Sequence, residues 1–141
     1  MQWWQVILFP IGCFILLIPV VLIYERHRLR QAEVNFLEGR SPLPDREFLH
    51  SFDLGVFDPQ DVLQARQITA QQCGVEAEFI YPDDAVKSLC MLQFDGGDML
   101  QWLMLLEVEL KGLEREVHAI YKMSFREFII FCLERKEKTP A

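Results

Sequence analysis

The chain has 141 residues, about half of them apolar, and a formal net charge of −7. This length allows one modest domain plus an appendage. Residues 47–141 carry seventeen Asp and Glu residues against nine Lys and Arg residues. Nucleic acid is therefore excluded as an expected partner, since phosphate binding needs a basic surface, and a basic protein surface is favoured instead.

The first predicted element is a transmembrane helix, because no charged residue occurs from Trp3 to Tyr24, a stretch of 22 residues. About 20 residues are needed to cross a hydrocarbon core of ~30 Å. A cleaved signal peptide would have a basic start, a shorter apolar run and a small-residue cleavage site. A buried core helix is the alternative, but core helices are rarely apolar on every face. We therefore expect residues 1–24 to remain as a signal anchor in the lipid bilayer.

Aromatic and basic residues flank this stretch. The predicted membrane-interface residues are Trp3, Trp4, Tyr24, Arg26, Arg28 and Arg30. Trp and Tyr concentrate at membrane interfaces, and arginines concentrate on the cytoplasmic side. Because the arginines follow the span, we expect a single-pass protein of the inner (plasma) membrane, with its N-terminus outside and its C-terminal domain in the cytoplasm. The arginines are also candidates for contacts with anionic lipid headgroups.

A basic juxtamembrane segment, residues 25–44, is predicted next. Its helix should continue past the membrane to Gly39, and the two prolines in Ser41–Pro44 should interrupt it. Asp45 is expected to cap a short helix at the start of the acidic domain, residues 45–141.

Local start and stop signals predict the next helix. Asp58 and Pro59 are typical of a helix N-terminus, and Gly74 of a C-terminus, so we expect a helix that ends near Gln72. A long loop from Tyr81 to Gly97 should follow.

Two more helices complete the predicted domain. Asp98 is expected to cap an apolar helix, Met99–Leu110. Ser124 and Glu127 form a capping-box pattern at the start of a helix from Phe125 to about Arg135. No strand pattern competes, so the predicted fold class is all-α: one N-terminal transmembrane helix plus a small helical bundle.

Residues that could carry chemistry are few. Cys13, Cys73, Cys90 and Cys132 form no CxxC pair, and neither they nor the three histidines have metal-ligand spacing. We expect reduced, mostly buried thiols. Asp83–Asp84 and the Asp95/Asp98 pair could hold a cation, but helix capping is the favoured interpretation. No catalytic motif is present, so we expect no enzyme, no catalytic residue and no metal site.

Residues 58–135 resemble the acyl carrier protein superfamily, whose core reads Leu-Gly-x-Asp-Ser-Leu-Asp before an apolar helix. Here the chain reads Leu92-Gln93-Phe94-Asp95-Gly96-Gly97-Asp98. Asp95 and Asp98 fall on the two family aspartates, and the final helix falls on the last carrier helix. The resemblance implies a small carrier-like bundle.

Gly96 stands where the carrier family has the serine that receives phosphopantetheine. Glycine has no hydroxyl group, so we expect no cofactor. The motif also resembles a serine-less, acyl-carrier-like group of uncharacterised bacterial proteins. The favoured interpretation is a carrier-like fold that bears no phosphopantetheine, and a true carrier with another attachment residue is a weaker alternative.

The helix Met99–Leu110 corresponds to the partner-recognition helix of acyl carrier proteins. One stripe is predicted to face the core: Met99, Trp102, Leu103, Leu106 and Leu110. The candidate partner-binding residues are Asp98, Leu100, Gln101, Met104, Glu107 and Val108. Three of them repeat every four residues and form a second apolar stripe. Alternatively, residues 113–121 or the membrane-proximal helix cover this stripe.

Two functions follow as hypotheses. The first is a membrane-anchored, non-catalytic, acyl-carrier-like interaction module that docks a partner protein at the cytoplasmic membrane face. The alternative is an accessory structural subunit of a larger membrane protein complex, held through its transmembrane helix.

Overall fold

A computed structural model describes residues 3–93 and 99–137. These residues form the α-helices α1 (Trp3–Leu37), α2 (Asp45–Leu49), α3 (Pro59–Cys73), α4 (Val86–Met91), α5 (Met99–Leu105), α6 (Val117–Ile120) and α7 (Phe125–Glu137). Two 3₁₀ turns occupy Ala77–Phe79 and Leu113–Arg115. Within the described ranges no strand forms, and the predicted all-α class is confirmed.

Helix α1 is one continuous helix of 35 residues that is long and apolar enough to span a membrane. None of its residues is buried within the described chain. The helix ends at Leu37, and Gly39 adopts a left-handed conformation with φ of 70°. The predicted continuation of the helix nearly to this glycine is therefore confirmed.

Helix α3 begins and ends at the predicted signals. The Asp58 carboxylate accepts a hydrogen bond from the Gln60 amide at 2.8 Å, and Pro59 is the first helical residue. Gly74 ends the helix with φ of 69°, and its amide donates to the Ala70 carbonyl. Both ends follow from local chemistry alone.

The prediction that Asp45 caps α2 is wrong. Pro44 precedes the helix as its N-cap, and Asp45 is already the first helical residue. The Asp45 carboxylate instead accepts from Arg66 Nη1 at 2.9 Å. Asp45 therefore binds the buried guanidinium of Arg66 on α3 and does not cap the backbone amides of α2.

The predicted long loop from Tyr81 to Gly97 contains α4 and is corrected accordingly. Val86, Leu89 and Cys90 are buried. Six residues are too short to display a convincing helical period, so α4 depends on packing against its neighbours rather than on propensity.

Helix α5 ends at Leu105, five residues before the predicted Leu110. The amide of Glu107 donates to the Met104 carbonyl and the amide of Val108 donates to the Leu103 carbonyl, each at 3.0 Å. These two bonds form a Schellman motif with Glu107 in the left-handed position at φ of 58°. Glycine is usual there, so the sequence carried no recognisable stop signal.

The predicted capping box at α7 is confirmed. The Ser124 amide donates to Glu127 Oε2 at 2.8 Å, and the Glu127 amide donates to Ser124 Oγ at 3.3 Å. This reciprocal pair satisfies two amides that the first turn leaves unbonded.

An aromatic core joins three helices of the domain. Trp102 of α5 packs on Phe128 of α7 with ring centroids 4.5 Å apart, and Phe48 of α2 lies 6.1 Å from Phe125. All four side chains are fully buried. The predicted core stripe of α5 is confirmed at Met99, Trp102, Leu103 and Leu106, while Leu110 is only partly buried.

Candidate functional site

The C-terminal end of α4 is attached to α1 by Arg28. Its Nη2 contacts the Glu25 carboxylate at 2.8 Å and donates to the Gln93 carbonyl at 3.0 Å. Its Nη1 donates to the Met91 carbonyl at 3.2 Å. Arg28, predicted as a membrane-interface residue, therefore also binds the end of α4.

A second attachment lies at the other end of α4, where Arg40 contacts Asp84. The two guanidinium nitrogens of Arg40 donate to the two carboxylate oxygens at 2.9 and 2.6 Å. The guanidinium also lies 3.8 Å from the centroid of the Phe36 ring. This planar, bidentate pairing is specific to arginine. Asp84, considered as a cation ligand or a cap, instead forms an ion pair.

These two attachments make α1 and the domain a packed unit. Helix α4 starts beside the Arg40–Asp84 pair and ends beside Arg28, so it runs back along α1. Phe36 and Leu43 also pack against the core. The segment 25–44 is thus not a loose linker between the anchor and the domain.

The other predicted membrane-interface residues lie on the outside of α1. The exposed side chains are Trp3, Trp4, Tyr24, Arg26 and Arg30. Their assignment to a membrane interface stays a prediction.

Helix α5 presents an exposed apolar edge opposite its core face. Leu100 is 52% exposed and Met104 is 62% exposed, while Trp102 and Leu103 are fully buried. Leu105 is exposed beside them. Leu100 and Met104 are four residues apart, so they share one helical edge. We name Leu100, Met104 and Leu105 the α5 edge.

Val108 does not belong to this edge, and its predicted place there is wrong. Its side chain is only 5% exposed, because the Schellman motif turns the chain after Leu105 and directs Val108 back towards Leu103. Gln101 and Glu107 are exposed, as a rim requires, and Glu107 pairs with Lys136 Nζ at 3.0 Å. Asp98 lies outside the described residues.

The carrier-like motif is only partly described. Leu92 and Gln93 are buried at the end of α4, whereas Asp95, Gly96 and Gly97 lie outside the described residues. The prediction that the chain carries no phosphopantetheine therefore rests on the sequence alone.

The cysteines are all free, and Cys73, Cys90 and Cys132 are buried as predicted. Burial raises the pKa of Cys73 to about 12 and that of Cys90 to about 11. It also raises the pKa of Cys132. Because the thiolate is the reactive form, these thiols are poor nucleophiles at neutral pH.

We expect the free energy of unfolding to fall as the pH rises above about 9. The folded protein keeps thiol protons that the unfolded chain releases, because burial raises the folded pKa values of Cys73 and Cys90 above 9.0, the ordinary value for a cysteine thiol. Between the unfolded and folded pKa values, each thiol lowers stability by about 1.4 kcal/mol per pH unit. Urea unfolding in mild detergent at about pH 8, 9 and 10 measures the slope, and Cys73→Ala should make it shallower. An unchanged slope in this variant contradicts the prediction.

Sequence reasoning missed the structural roles of Arg40 and Arg66, and it singled out Asp84 without its pairing to Arg40. Arg66 is 1% exposed, and sequence position alone does not distinguish it from a surface arginine. The only signal in the sequence was the position of Arg66 on the same face of α3 as its buried apolar residues, such as Val62 and Ala70.

No group of three or more His, Cys, Asp or Glu side chains suited to a metal occurs in the part of the chain that the structure describes.

No family model matches the chain, and no match to a curated protein or to a solved structure was found.

Proposed function

We propose that this chain is a membrane-anchored, non-catalytic, acyl-carrier-like module that docks a partner protein at the cytoplasmic membrane face. The observation that carries the proposal is the α5 edge. Exposed large aliphatic side chains stand on a helix whose other face is fixed in the core by Trp102 and Leu103. A rigid helix with an apolar edge is the arrangement by which proteins present anchors to a groove.

The chemistry around the α5 edge favours a basic partner. Glu109 lies exposed after the helix, Glu107 is exposed but pairs with Lys136, and the domain carries a net negative charge. An acidic rim steers a basic surface and sets its orientation more than its affinity. The buried aliphatic anchors would supply affinity, at about 1.5–3 kcal/mol for each side chain removed from water.

Replacing Leu100 and Met104 together with glutamate should abolish association while the domain stays folded. Both side chains are more than half exposed, so the new carboxylates remain in water and the core loses nothing. Affinity purification of the full chain from gently solubilised membranes, followed by mass identification, measures the association. Circular dichroism and thermal unfolding measure the fold.

A matched control uses Leu54→Glu and Val56→Glu, two exposed apolar positions between α2 and α3. This pair adds the same charge and should leave association intact. A folded L100E/M104E variant that still captures the partner rejects the proposal. Loss of capture in both pairs would assign the effect to added charge rather than to the α5 edge, and would also reject it.

The orientation is tested separately. Since Arg26 and Arg30 follow the apolar part of α1, a C-terminal reporter that is active only outside the cytoplasm should be silent. The protein should also remain in the membrane pellet after an alkaline wash. An active reporter would show that the domain faces the other side.

The second candidate is an accessory subunit held through its span. It is favoured by the exposed faces of the apolar section of α1, such as Phe14 at 70%, which another helix could cover as well as lipid. Exchanging residues 3–24 for an unrelated polyleucine span while keeping residues 25–141 separates the two. Association that survives the exchange supports docking through α5, and association that disappears supports the subunit.

A further inference from the structure

The apolar section of α1 sets the level of the membrane surface. From Trp3 to Tyr24 the helix rises about 33 Å at 1.5 Å per residue, close to the ~30 Å of a hydrocarbon core. Tyr24 therefore marks the edge of the core. The headgroup layer beyond it is roughly 5–7 Å thick, from the difference between total and core thickness. One helical turn past Tyr24, about 5.4 Å, lies in that layer.

Arg28 holds the end of α4 at this level. Helical side chains incline towards the N-terminus of their helix, which here is the membrane side. The Arg28 guanidinium contacts Glu25, the first residue after Tyr24, at 2.8 Å. The same group donates to the Met91 carbonyl at 3.2 Å, so the Met91 backbone lies beside the first turn outside the hydrocarbon core.

The exposed side of α4 has the composition of a membrane-surface contact. Lys87 and Met91 are four residues apart on one edge, and both are exposed. Met91 is 46% exposed although it is apolar. Arg26 and Arg30 are exposed at the same level of α1 but on the face opposite Arg28, since each is two residues from it, and Arg28 pairs with the carboxylate of Glu25 in this turn.

We propose that the C-terminal end of α4 is a lipid-contact site, in which Met91 enters the headgroup layer of an anionic bilayer while Lys87 binds lipid phosphates and Arg26 and Arg30 bind phosphates on the other side of α1. This inference rests on the membrane anchoring in the proposed function. Juxtamembrane basic residues attract anionic lipids, and apolar side chains add burial at the interface. The acidic domain is thereby held in one orientation against the membrane.

A spin label at position 91 tests the site in the full chain. The variant Met91→Cys is made in a Cys13→Ser background, where the remaining cysteines are buried and do not react. The Arg28 bond is kept, because it uses the backbone carbonyl of residue 91. In vesicles of phosphatidylcholine and phosphatidylglycerol, the label should collide more with lipid-dissolved oxygen than with a water-soluble nickel complex.

The matched control is Asp83→Cys at the other end of α4. Asp83 precedes Asp84, which pairs with Arg40 beyond the end of α1. Leu37, the last residue of α1, lies roughly 20 Å past Tyr24 at 1.5 Å per residue. The label at position 83 should therefore collide mainly with the nickel complex. Adding Arg28→Ala to the Met91→Cys variant should shift its label towards the same water-exposed signal.

A label on native Cys13, in the apolar section of α1, separates failure of this site from failure of the anchor. If the label on Cys13 is in lipid and the label at position 91 matches the one at position 83, the lipid-contact site is rejected. If the label on Cys13 is itself in water, the membrane anchor and the site that rests on it are both rejected. A label at position 91 that is equally lipid-exposed in vesicles of phosphatidylcholine alone overturns the binding of anionic lipid.

Discussion

Replacing Arg66 with methionine should lower the free energy of unfolding by about 3 kcal/mol, since one buried and one partly buried backbone carbonyl lose their donor. Arg66 Nη2 donates to the Ile80 carbonyl at 2.9 Å and to the Leu43 carbonyl at 3.0 Å, and the guanidinium lies 4.1 Å from the Phe48 ring centroid. Methionine fills similar volume but donates nothing. Each unpaired buried acceptor costs about 1–3 kcal/mol.

Burying the positive charge of Arg66 costs desolvation free energy, and the Asp45 carboxylate offsets part of this cost. Desolvation lowers the pKa of Arg66, whereas the nearby Asp45 carboxylate raises it. Replacing a whole buried ion pair with apolar residues is often neutral, but backbone carbonyls cannot be replaced. A large loss is therefore expected here, even though the methionine side chain itself suits the core.

Asp45→Asn is the matched control for Arg66→Met. The Asp45 side chain is 64% exposed, so losing its charge should cost under about 1 kcal/mol. Urea unfolding in mild detergent, followed by circular dichroism, measures both variants. Equal losses in the two variants would mean that the salt bridge, rather than the two carbonyls, accounts for the role of Arg66.

Replacing Trp102 with alanine should cost about 3–5 kcal/mol, the usual range for removing a buried aromatic side chain. Trp102 is fully buried against Phe128, and its indole N–H donates to Thr69 Oγ1 at 3.1 Å. The variant should also lose partner association, because this side chain fixes α5 and hence the α5 edge. Thermal unfolding and affinity purification of the full chain measure the two effects.

Two smaller changes separate packing from hydrogen bonding at this position. Trp102→Phe keeps much of the apolar volume and should cost less than Trp102→Ala. Thr69→Val leaves the indole N–H unpaired in the core and should cost about 1–3 kcal/mol. A loss below about 1 kcal/mol for Trp102→Ala would contradict the assignment of Trp102 to the core, given the expected range for a buried aromatic residue.

The elements that the sequence predicted correctly are those whose signals are local. Asp58 with Pro59, Gly74, and Ser124 with Glu127 act within one turn of their own helix, so their chemistry needs no distant partner. The long apolar helix α1 was equally readable, because a helix able to cross a bilayer needs a minimum length and no charge along one continuous stretch.

The sequence predicted only part of the candidate site, because the rest depends on residues that are distant in the chain or on packing. Leu100 and Met104 are exposed, as a docking edge requires, but the end of α5 depends on a left-handed Glu107 and on the burial of Val108. Glutamate carries no preference for that conformation. Packing of Val108 in the core decides the turn, and only the tertiary structure shows it.

For the charged residues, too, the sequence shows the overall pattern, and only the structure shows the individual contacts. The excess of acid in the domain and the arginines after the span are visible in the sequence and predict a membrane protein with an acidic domain. Which arginines bind the domain was not visible, because Arg28 and Arg40 bind groups more than 40 positions away, at Met91 and Asp84. Charge sets a residue's affinity for an opposite charge or a carbonyl, but only the folded chain determines which such group lies within 3 Å.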